Sequence, residues 1–314
     1  MNHFALLCSG QGSQSPELFA RFPFSQKGLE LKREILENHC LASEVAAWLE
    51  DPRSDPNMIY DDHYAQPLLG LFQAMVWAEL GERLPQPKLV AGYSFGELSA
   101  YGCSGALRPE QVVSLASARA QYMDAAAKPG TLIAVKGVSV KKAATIAADY
   151  GGYVAIIISD NHSVLGCLAE QTTALALALR TVAHTVVPLK VTIPSHTPLL
   201  DSAVEPFRRA LLAQPCHPFK FPVLAGVNAG EVVSENQMRQ WLPEQIHRTV
   251  RWDLVLSRLR ESDCRVLLEI GSGTELVRMV LAENFTSQAR SISEFRTVDG
   301  IVAWVEKALH RVSS

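Results

Sequence analysis

A serine bracketed by glycines is the residue of this sequence whose type and setting point most directly to chemistry. The segment GYSFG, residues 92–96, follows an apolar run that predicts a strand at Leu89–Tyr93 and precedes a predicted helix at Gly96–Ala106. Such a tight turn leaves no space for side chains at the two glycines and raises the serine above the strand end. Because unpaired N–H groups at a helix N-terminus stabilise negative charge, Ser94 is predicted to be a nucleophile.

A serine nucleophile needs a base within hydrogen-bond distance, and the sequence offers nine histidines. His196 has the most suitable setting, because its loop follows a predicted strand and re-enters one predicted lobe from the other, where a cleft is expected. His63 could also face a cleft, but nothing in the sequence orients it. Asp201 and Asp253 are candidates for a third member, yet neither follows a recognisable strand end. Since a main-chain carbonyl can orient the imidazole, the third position is left without a side chain.

Length and composition exclude several classes of protein. The chain has 314 residues, 48% of them hydrophobic and 19% charged, which is typical of a globular protein with a sizeable core. A net charge of −3 gives no bulk attraction to nucleic acid or an anionic membrane. No apolar window reaches the roughly 18 residues of a membrane span, and the first residues lack the basic start of a signal peptide. Six scattered cysteines favour reduced thiols over disulfides or a zinc site, so we predict a cytoplasmic protein without a metal.

Short apolar runs alternate with helical patterns along most of the chain, which predicts an α/β fold: a doubly wound, α/β-hydrolase-like domain with a parallel sheet. The predicted strands of this domain are His3–Cys8, Leu89–Tyr93, Val223–Gly226 and Arg265–Ile270. Its predicted helices are Gln66–Leu84 (with its start marked by Pro67), Gly96–Ala106, Pro109–Ala127, Phe207–Leu212, Gly273–Glu283 and Val302–His310.

The middle of the chain has a different order of predicted strands and helices. Strands are predicted at Thr131–Val138, Tyr153–Ser159, Ser163–Leu168 and Thr185–Val191, with helices at Val140–Tyr150 and Glu170–Thr181. The order β-α-β-β-α-β is that of a ferredoxin-like unit. We therefore predict a discontinuous large α/β domain, residues 1–127 and 193–314, and a small ferredoxin-like subdomain, residues 128–192, inserted into it.

Six short motifs occur in the order and at the spacing of a known family. They are SGQGSQ at 9–14, AQP at 65–67, YSFGE at 93–97, the helix segment from Arg119 to Met123, PSH at 194–196 and EIGSG at 269–273. Together they make the chain resemble malonyl-CoA:acyl carrier protein transacylases and the acyltransferase domains of polyketide synthases, from residue 4 to about residue 285.

The resemblance implies a role for each matched position. Ser94 would carry the acyl group as an ester, and His196 would act as general base and then as general acid. The backbone N–H groups of Gln11 and Phe95 would form the oxyanion hole. Arg119 would bind the free carboxylate of a malonyl group in a two-pronged salt bridge.

The resemblance also implies residues around these groups. Tyr93, Met123 and Ser195 would line the substrate pocket. The family orients its histidine by a main-chain carbonyl in a segment that matches residues 249–252, which predicts the carbonyl of Arg251 for this role. Tyr93 stands where the family usually has histidine, which could change the acyl preference. Two further departures, Cys8-Ser9 in place of Phe-Pro and a shortened segment at 160–163, remove no catalytic group.

The implied reaction is ping-pong transfer of a malonyl group from malonyl-CoA to the phosphopantetheine thiol of an acyl carrier protein, with no permanently bound cofactor. Fatty acid, polyketide and malonate metabolism all use it, and polyketide synthase modules acting in trans could be partners. Three alternatives stay open: an acyl-carrier thioester hydrolase, the malonyl-transfer subunit of a malonate decarboxylase, and an inactive scaffold. Because carrier proteins are typically acidic, a basic rim is expected near the cleft, from Lys136, Lys141, Lys142 and Lys190.

Overall fold

A computed structural model of the chain describes residues 3–38, 40–283 and 288–313. Its strands are β1 Phe4–Cys8, β2 Leu89–Gly92, β3 Gly130–Lys136, β4 Tyr153–Ser159, β5 His162–Leu168, β6 Thr185–Pro188, β7 Val223–Leu224, β8 Glu231–Val232, β9 Val250–Arg251, β10 Val266–Ile270 and β11 Gln288–Ser291. Its helices are α1 Leu18–Arg21, α2 Gln26–Glu37, α3 Ser43–Glu50, α4 Asp62–Leu80, α5 Gly96–Cys103, α6 Pro109–Ala126, α7 Val140–Asp149, α8 Thr172–Arg180, α9 Asp201–Leu212, α10 Glu235–Glu244, α11 Trp252–Glu261, α12 Glu275–Ala282 and α13 Val298–Ser313. The predicted mixed α/β fold is confirmed.

The larger sheet is built from the most apolar runs of the sequence. Its order is β11-β10-β1-β2-β7-β8, and all neighbouring strands are parallel except β7 and β8. Strands β1 and β10 are buried along their whole length, as expected for a parallel sheet covered on both faces. The carboxyl ends of β1, β2 and β10 therefore lie side by side, at the edge where α/β proteins bind their ligands.

Alternate side chains of the central strand belong to the two faces of this sheet. Phe4, Leu6 and Cys8 of β1 join an apolar cluster with α4, α5 and α6, whereas Ala5 and Leu7 join another cluster with α11 and α12. This period of two is the alternation that extended backbone imposes. No helix in the described ranges is long and apolar enough to cross a membrane.

The smaller sheet has the order β6-β3-β5-β4-β9. Strands β3, β5, β4 and β6 pair in antiparallel fashion, and α7 and α8 share an apolar cluster with them. Strand β9 comes from a later part of the chain and pairs with β4 in parallel, although the sequence analysis did not predict it. A strand of two residues is too short to show a hydrophobic period, so only the fold reveals it.

Helix α4 begins earlier than predicted, because a capping side chain precedes the proline that was taken to mark its start. Helix α4 begins at Asp62 and contains Pro67, whereas Pro67 was predicted to mark its start. The side chain of Asp61 accepts a hydrogen bond from the His63 N–H and so caps the helix four residues earlier. Helices α1, α2, α3, α10 and α11 and strands β8 and β11 were not predicted either.

Candidate active site

The turn between β2 and α5 has the strained geometry predicted from its glycines. Ser94 has a φ of 54°, in the left-handed region. A Cβ on Gly92 would lie 2.1 Å from the backbone of Gly96 and Glu97, and one on Gly96 would lie 2.1 Å from the Cys8 carbonyl oxygen. Only glycine fits at either position, so the backbone of β1 and α5 can close around the serine.

This steric requirement predicts a large loss of stability for Gly92→Ala. A Cβ cannot lie 2.1 Å from backbone atoms, so the turn would have to open. We expect the variant to lose about 3 kcal/mol or more of unfolding free energy in urea denaturation. Gly300→Ala is the matched control, because its nearest neighbour is a side-chain atom 3.1 Å away, and it should change stability by less than about 1 kcal/mol. Equal losses of unfolding free energy in Gly92→Ala and Gly300→Ala would contradict this steric explanation.

The structure brings His196 to Ser94 although 102 residues separate them. His196 Nε2 lies 2.7 Å from Ser94 Oγ, and Nδ1 lies 2.6 Å from the main-chain oxygen of Gln245. The loop is fixed by the His196 N–H, which donates to the Ile246 carbonyl. Burial, reinforced by the positive charge of Arg119, lowers the pKa of His196 to about 3. The imidazole is therefore neutral near pH 7, and its unprotonated Nε2 can take the serine proton.

The carbonyl that orients His196 belongs to Gln245, and the prediction of Arg251 is wrong. Arg251 lies on β9, where its N–H donates to the Gly226 carbonyl and its guanidinium pairs with Asp253. The end of α10 places Gln245 under the imidazole instead, six residues before the predicted position. Of the acids considered as a third member, Asp253 is held by Arg251 and Asp201 lies 2.6 Å from His247.

Gln11 and Phe95 lie in backbone segments next to Ser94. A Cβ on Gly10 would lie 2.7 Å from the Tyr93 carbonyl oxygen and 3.4 Å from Ser94 Cβ, so the backbone before Gln11 passes close to the serine. Within the described residues, the amide N–H of neither Gln11 nor Phe95 has a hydrogen-bond partner. Free N–H groups at such a turn can bind an oxyanion.

The side chain of Gln11 is tied to the loop that carries His196. Its Nε2 donates to Asp62 Oδ1 at 2.9 Å, and the hydroxyl of Thr192 donates to Asp62 Oδ2 at 3.2 Å. Asp62 therefore links the two loops that meet at Ser94.

Arg119 is a buried cation held by neutral groups. Its side chain is 2% exposed, and its guanidinium donates to Gln66 Oε1 at 2.7 Å and to Gln245 Oε1 at 3.2 Å. Burial lowers the pKa of Arg119 to about 10, and the nearby carboxyl of Glu97 opposes this shift. Amide oxygens satisfy the N–H donors without cancelling the charge, so the site keeps an attraction for an anionic group.

The Gln245 side chain also connects Ser94, Glu97 and Arg119. Its Nε2 donates to the Ser94 carbonyl at 2.8 Å and to Glu97 Oε2 at 2.6 Å. Glu97 is fully buried and also accepts from the Gly226 N–H and the Tyr101 hydroxyl. One amide side chain therefore holds the Ser94 backbone, the buried guanidinium and a buried carboxyl in a single network.

Glu97 predicts a pH dependence of stability. Burial raises its pKa from 4.5 to about 7, so the folded chain holds this proton more tightly than the unfolded chain does. Its contribution to stability is therefore complete below about pH 4.5 and is lost as the pH rises to about 7. We expect the melting temperature of Glu97→Gln to rise relative to wild type between pH 5 and pH 8. A difference in melting temperature that stays constant between pH 5 and pH 8 would contradict this assignment.

A small cavity has Ser94 in its lining, and an open cleft adjoins this cavity. The cavity has a volume of about 90 Å³, and its lining includes Tyr93, Met123 and Ser195, as predicted, together with apolar side chains of the small sheet. The cleft, of about 380 Å³, shares Asp62 and Val191 with the cavity. The cavity beside Ser94 and the open cleft therefore adjoin each other.

Charged residues of the cleft are mixed in sign. Lys190 lines it beside Asp62 and Asp124, whereas Lys136, Lys141 and Lys142 are exposed elsewhere on the small sheet and α7. In the described ranges no three side chains of the metal-binding types His, Cys, Asp and Glu are grouped to hold an ion.

Sequence reasoning missed two parts of the site, Gln245 and Glu97. Glu97 lay within a quoted motif, and its position one residue after an obligatory glycine was the available signal. Gln245 had no signal, because its role depends on where α10 ends in space.

Known proteins are similar to this chain over most of its length. Residues 29–298 match the family described as acyl transferase domain. The malonyl CoA-acyl carrier protein transacylase of Bacillus subtilis is 26% identical over 311 residues, which is 95% of this chain and 96% of that protein. The polyketide biosynthesis protein ThaF of Burkholderia thailandensis is 30% identical over 292 residues, which is 89% of this chain and 24% of that protein.

Solved structures show the same fold. The malonyl CoA-acyl carrier protein transacylase of Coxiella burnetii superimposes with a TM-score of 0.87 at 24% identity, covering 98% of both chains. A malonyl-transacylase solved in complex with a type II polyketide synthase acyl-carrier protein also gives a TM-score of 0.87, at 22% identity, covering 96% of this chain and 99% of that one.

Proposed function

The chain belongs to the acyl transferase domain family, and on that premise we propose that it moves a malonyl group from malonyl-CoA, through an ester on Ser94, to the phosphopantetheine thiol of an acyl carrier protein. The observation that carries the proposal is the 2.7 Å contact between Ser94 Oγ and His196 Nε2. The transacylase names of the relatives, and the carrier protein bound to one structural neighbour, favour these substrates.

In the first half-reaction, His196 Nε2 takes the proton of Ser94 as Oγ attacks the thioester carbonyl. The Gln245 carbonyl, 2.6 Å from Nδ1, stabilises the imidazolium that forms. The N–H groups of Gln11 and Phe95 bind the oxyanion. The C–S bond then breaks, and His196 returns the proton to the sulfur of CoA. In the second half-reaction, the carrier thiol loses its proton to His196 and attacks the Ser94 ester, and Oγ recovers the proton.

Arg119 supplies the preference for a malonyl group. The carboxylate at the end of this acyl group would meet a buried guanidinium whose present partners are the neutral amides of Gln66 and Gln245. An acetyl group would leave that charge without a counterion, which weakens its binding. The small cavity beside Ser94 also favours a short acyl chain.

The proposal includes a finer description of the architecture. We assign residues 1–127 and 193–314 to a large α/β-hydrolase-like domain and residues 128–192 to a ferredoxin-like subdomain, which the strand order β6-β3-β5-β4 supports. Strand β9 of the large domain extends the small sheet. The six free cysteines favour a cytoplasmic enzyme, and the site chemistry requires no permanently bound cofactor.

Intact-mass measurement with a panel of acyl-CoAs, followed by addition of a phosphopantetheinylated carrier protein, tests the proposal. We expect a malonyl adduct on the enzyme and then on the carrier protein. Release of free acid with no carrier adduct would refute transfer in favour of a thioester hydrolase. Absence of any adduct would indicate a scaffold. Transfer only to the carrier subunit of a malonate decarboxylase would assign the chain to that complex.

A further inference from the structure

A second cavity lies on the flank of the large sheet, away from Ser94. It is enclosed by α4, α5, α6 and the segment after α9, and it shares no lining residue with the active-site cavity or the cleft. Its volume is about 330 Å³, against about 90 Å³ for the cavity beside Ser94. This size falls at the lower end of the range for small-molecule sites.

The walls of the flank cavity are apolar and preformed. Trp77, Leu107 and Val112 contribute to the lining. The segment that closes one side is fixed by two backbone hydrogen bonds, from the His217 N–H to the Ala106 carbonyl at 2.9 Å and from the Lys220 N–H to the Ser104 carbonyl at 2.8 Å. An apolar body can therefore enter without ordering a loop, which lowers the entropic cost of binding.

The charged side chains that line the flank cavity, Arg108 and Lys220, are both positive. Arg108 and Lys220 line it, both are exposed, and neither forms an ion pair with a described residue. None of the described residues that line it is acidic. The nearby carboxylate of Glu82 lies 2.6 Å from Lys27 Nζ, and its pKa is lowered mainly by Lys27 and less by Lys220. The two cations are thus available to an anion from outside the chain.

From these observations we propose that the flank cavity binds a small amphipathic carboxylate. Its aliphatic body lies against Trp77, and its carboxylate lies near Arg108 and Lys220. This site is separate from the acyl-transfer site, so its occupancy requires no catalysis.

Isothermal titration calorimetry with octanoate, below its micelle concentration, tests the proposal on the full chain. We expect saturable 1:1 binding that octan-1-ol, which has the same body without the charge, reproduces at least about tenfold more weakly. The double variant Arg108→Glu/Lys220→Glu should weaken octanoate binding about tenfold, because attraction becomes repulsion. Ala78→Phe, which fills the cavity, should abolish binding.

Controls separate this site from the rest of the molecule. Lys141→Glu, an exposed charge reversal on α7, and Ser94→Ala should leave the octanoate affinity unchanged. No saturable binding, equal weakening by Lys141→Glu, or competition by malonyl-CoA would overturn the proposal. If Ala78→Phe fails to fold, the double variant Arg108→Glu/Lys220→Glu tests the proposal, since both of these side chains are exposed and their replacement should not disturb the fold. Calorimetry reads binding alone, so the result stands apart from the outcome of the transfer assay.

Discussion

Replacement of Ser94 by alanine is expected to reduce malonyl transfer at least about 10⁴-fold. Alanine has no oxygen to form the ester, and His196 Nε2 loses the partner that lies 2.7 Å away. Intact-mass analysis should therefore show no malonyl adduct on the variant, and steady-state assays should show transfer near the uncatalysed level.

The matched variants make this result specific. His196→Ala should cost about as much as Ser94→Ala, and the double variant should be no worse, because the two side chains act as one unit. Ser117→Ala is a suitable control, since its hydroxyl bonds the Val113 carbonyl within α6 and is not part of the site. A stable malonyl ester on Ser94→Ala would remove Ser94 from the mechanism.

Loss of the Arg119 guanidinium is expected to remove most of the preference for malonyl over acetyl groups. Breaking a buried charge pair costs several kcal/mol, so the ratio of kcat/KM for malonyl-CoA to that for acetyl-CoA should fall about 10²-fold or more in Arg119→Ala. The fall in this ratio should come mainly from a lower kcat/KM for malonyl-CoA. Competition between the two acyl-CoAs in one reaction measures the ratio directly.

A second substitution tests the role of the Arg119 charge while keeping the guanidinium in place. Gln66 Oε1 lies 2.7 Å from the Arg119 guanidinium, so Gln66→Glu would place a carboxylate where the charge is now uncompensated. This variant should also lose malonyl preference, because the guanidinium already has a counterion. The exposed Arg180→Ala is the control and should keep the wild-type ratio. Unchanged selectivity in Arg119→Ala and Gln66→Glu would show that Arg119 does not anchor the acyl carboxylate.

Local rules made much of the site predictable. The tight turn at residues 92–96 follows from sterics within five residues, and the structure shows backbone atoms where Cβ atoms of Gly92 and Gly96 would be. The loop position of His196 likewise followed from the strand before it. The start of α4 was misjudged because the side-chain cap at Asp61 and the proline at Pro67 compete, and the cap determines the first turn.

The residue pattern predicted Ser94 as a nucleophile and the α/β class, because a tight turn depends on neighbouring residues and the fold class on a hydrophobic period. It also placed His196 in a loop after a strand, whereas the role of Arg119 was predicted only through the family resemblance. Which carbonyl lies against His196 Nδ1 depends on the packing of distant segments, and it is that of Gln245 instead of Arg251. The same packing also decided that the Gln245 side chain joins Ser94 to Glu97. These contacts join residues about 50 to 150 positions apart along the chain, and such pairs are set by how α10, α5 and the returning loop pack, which no local pattern encodes.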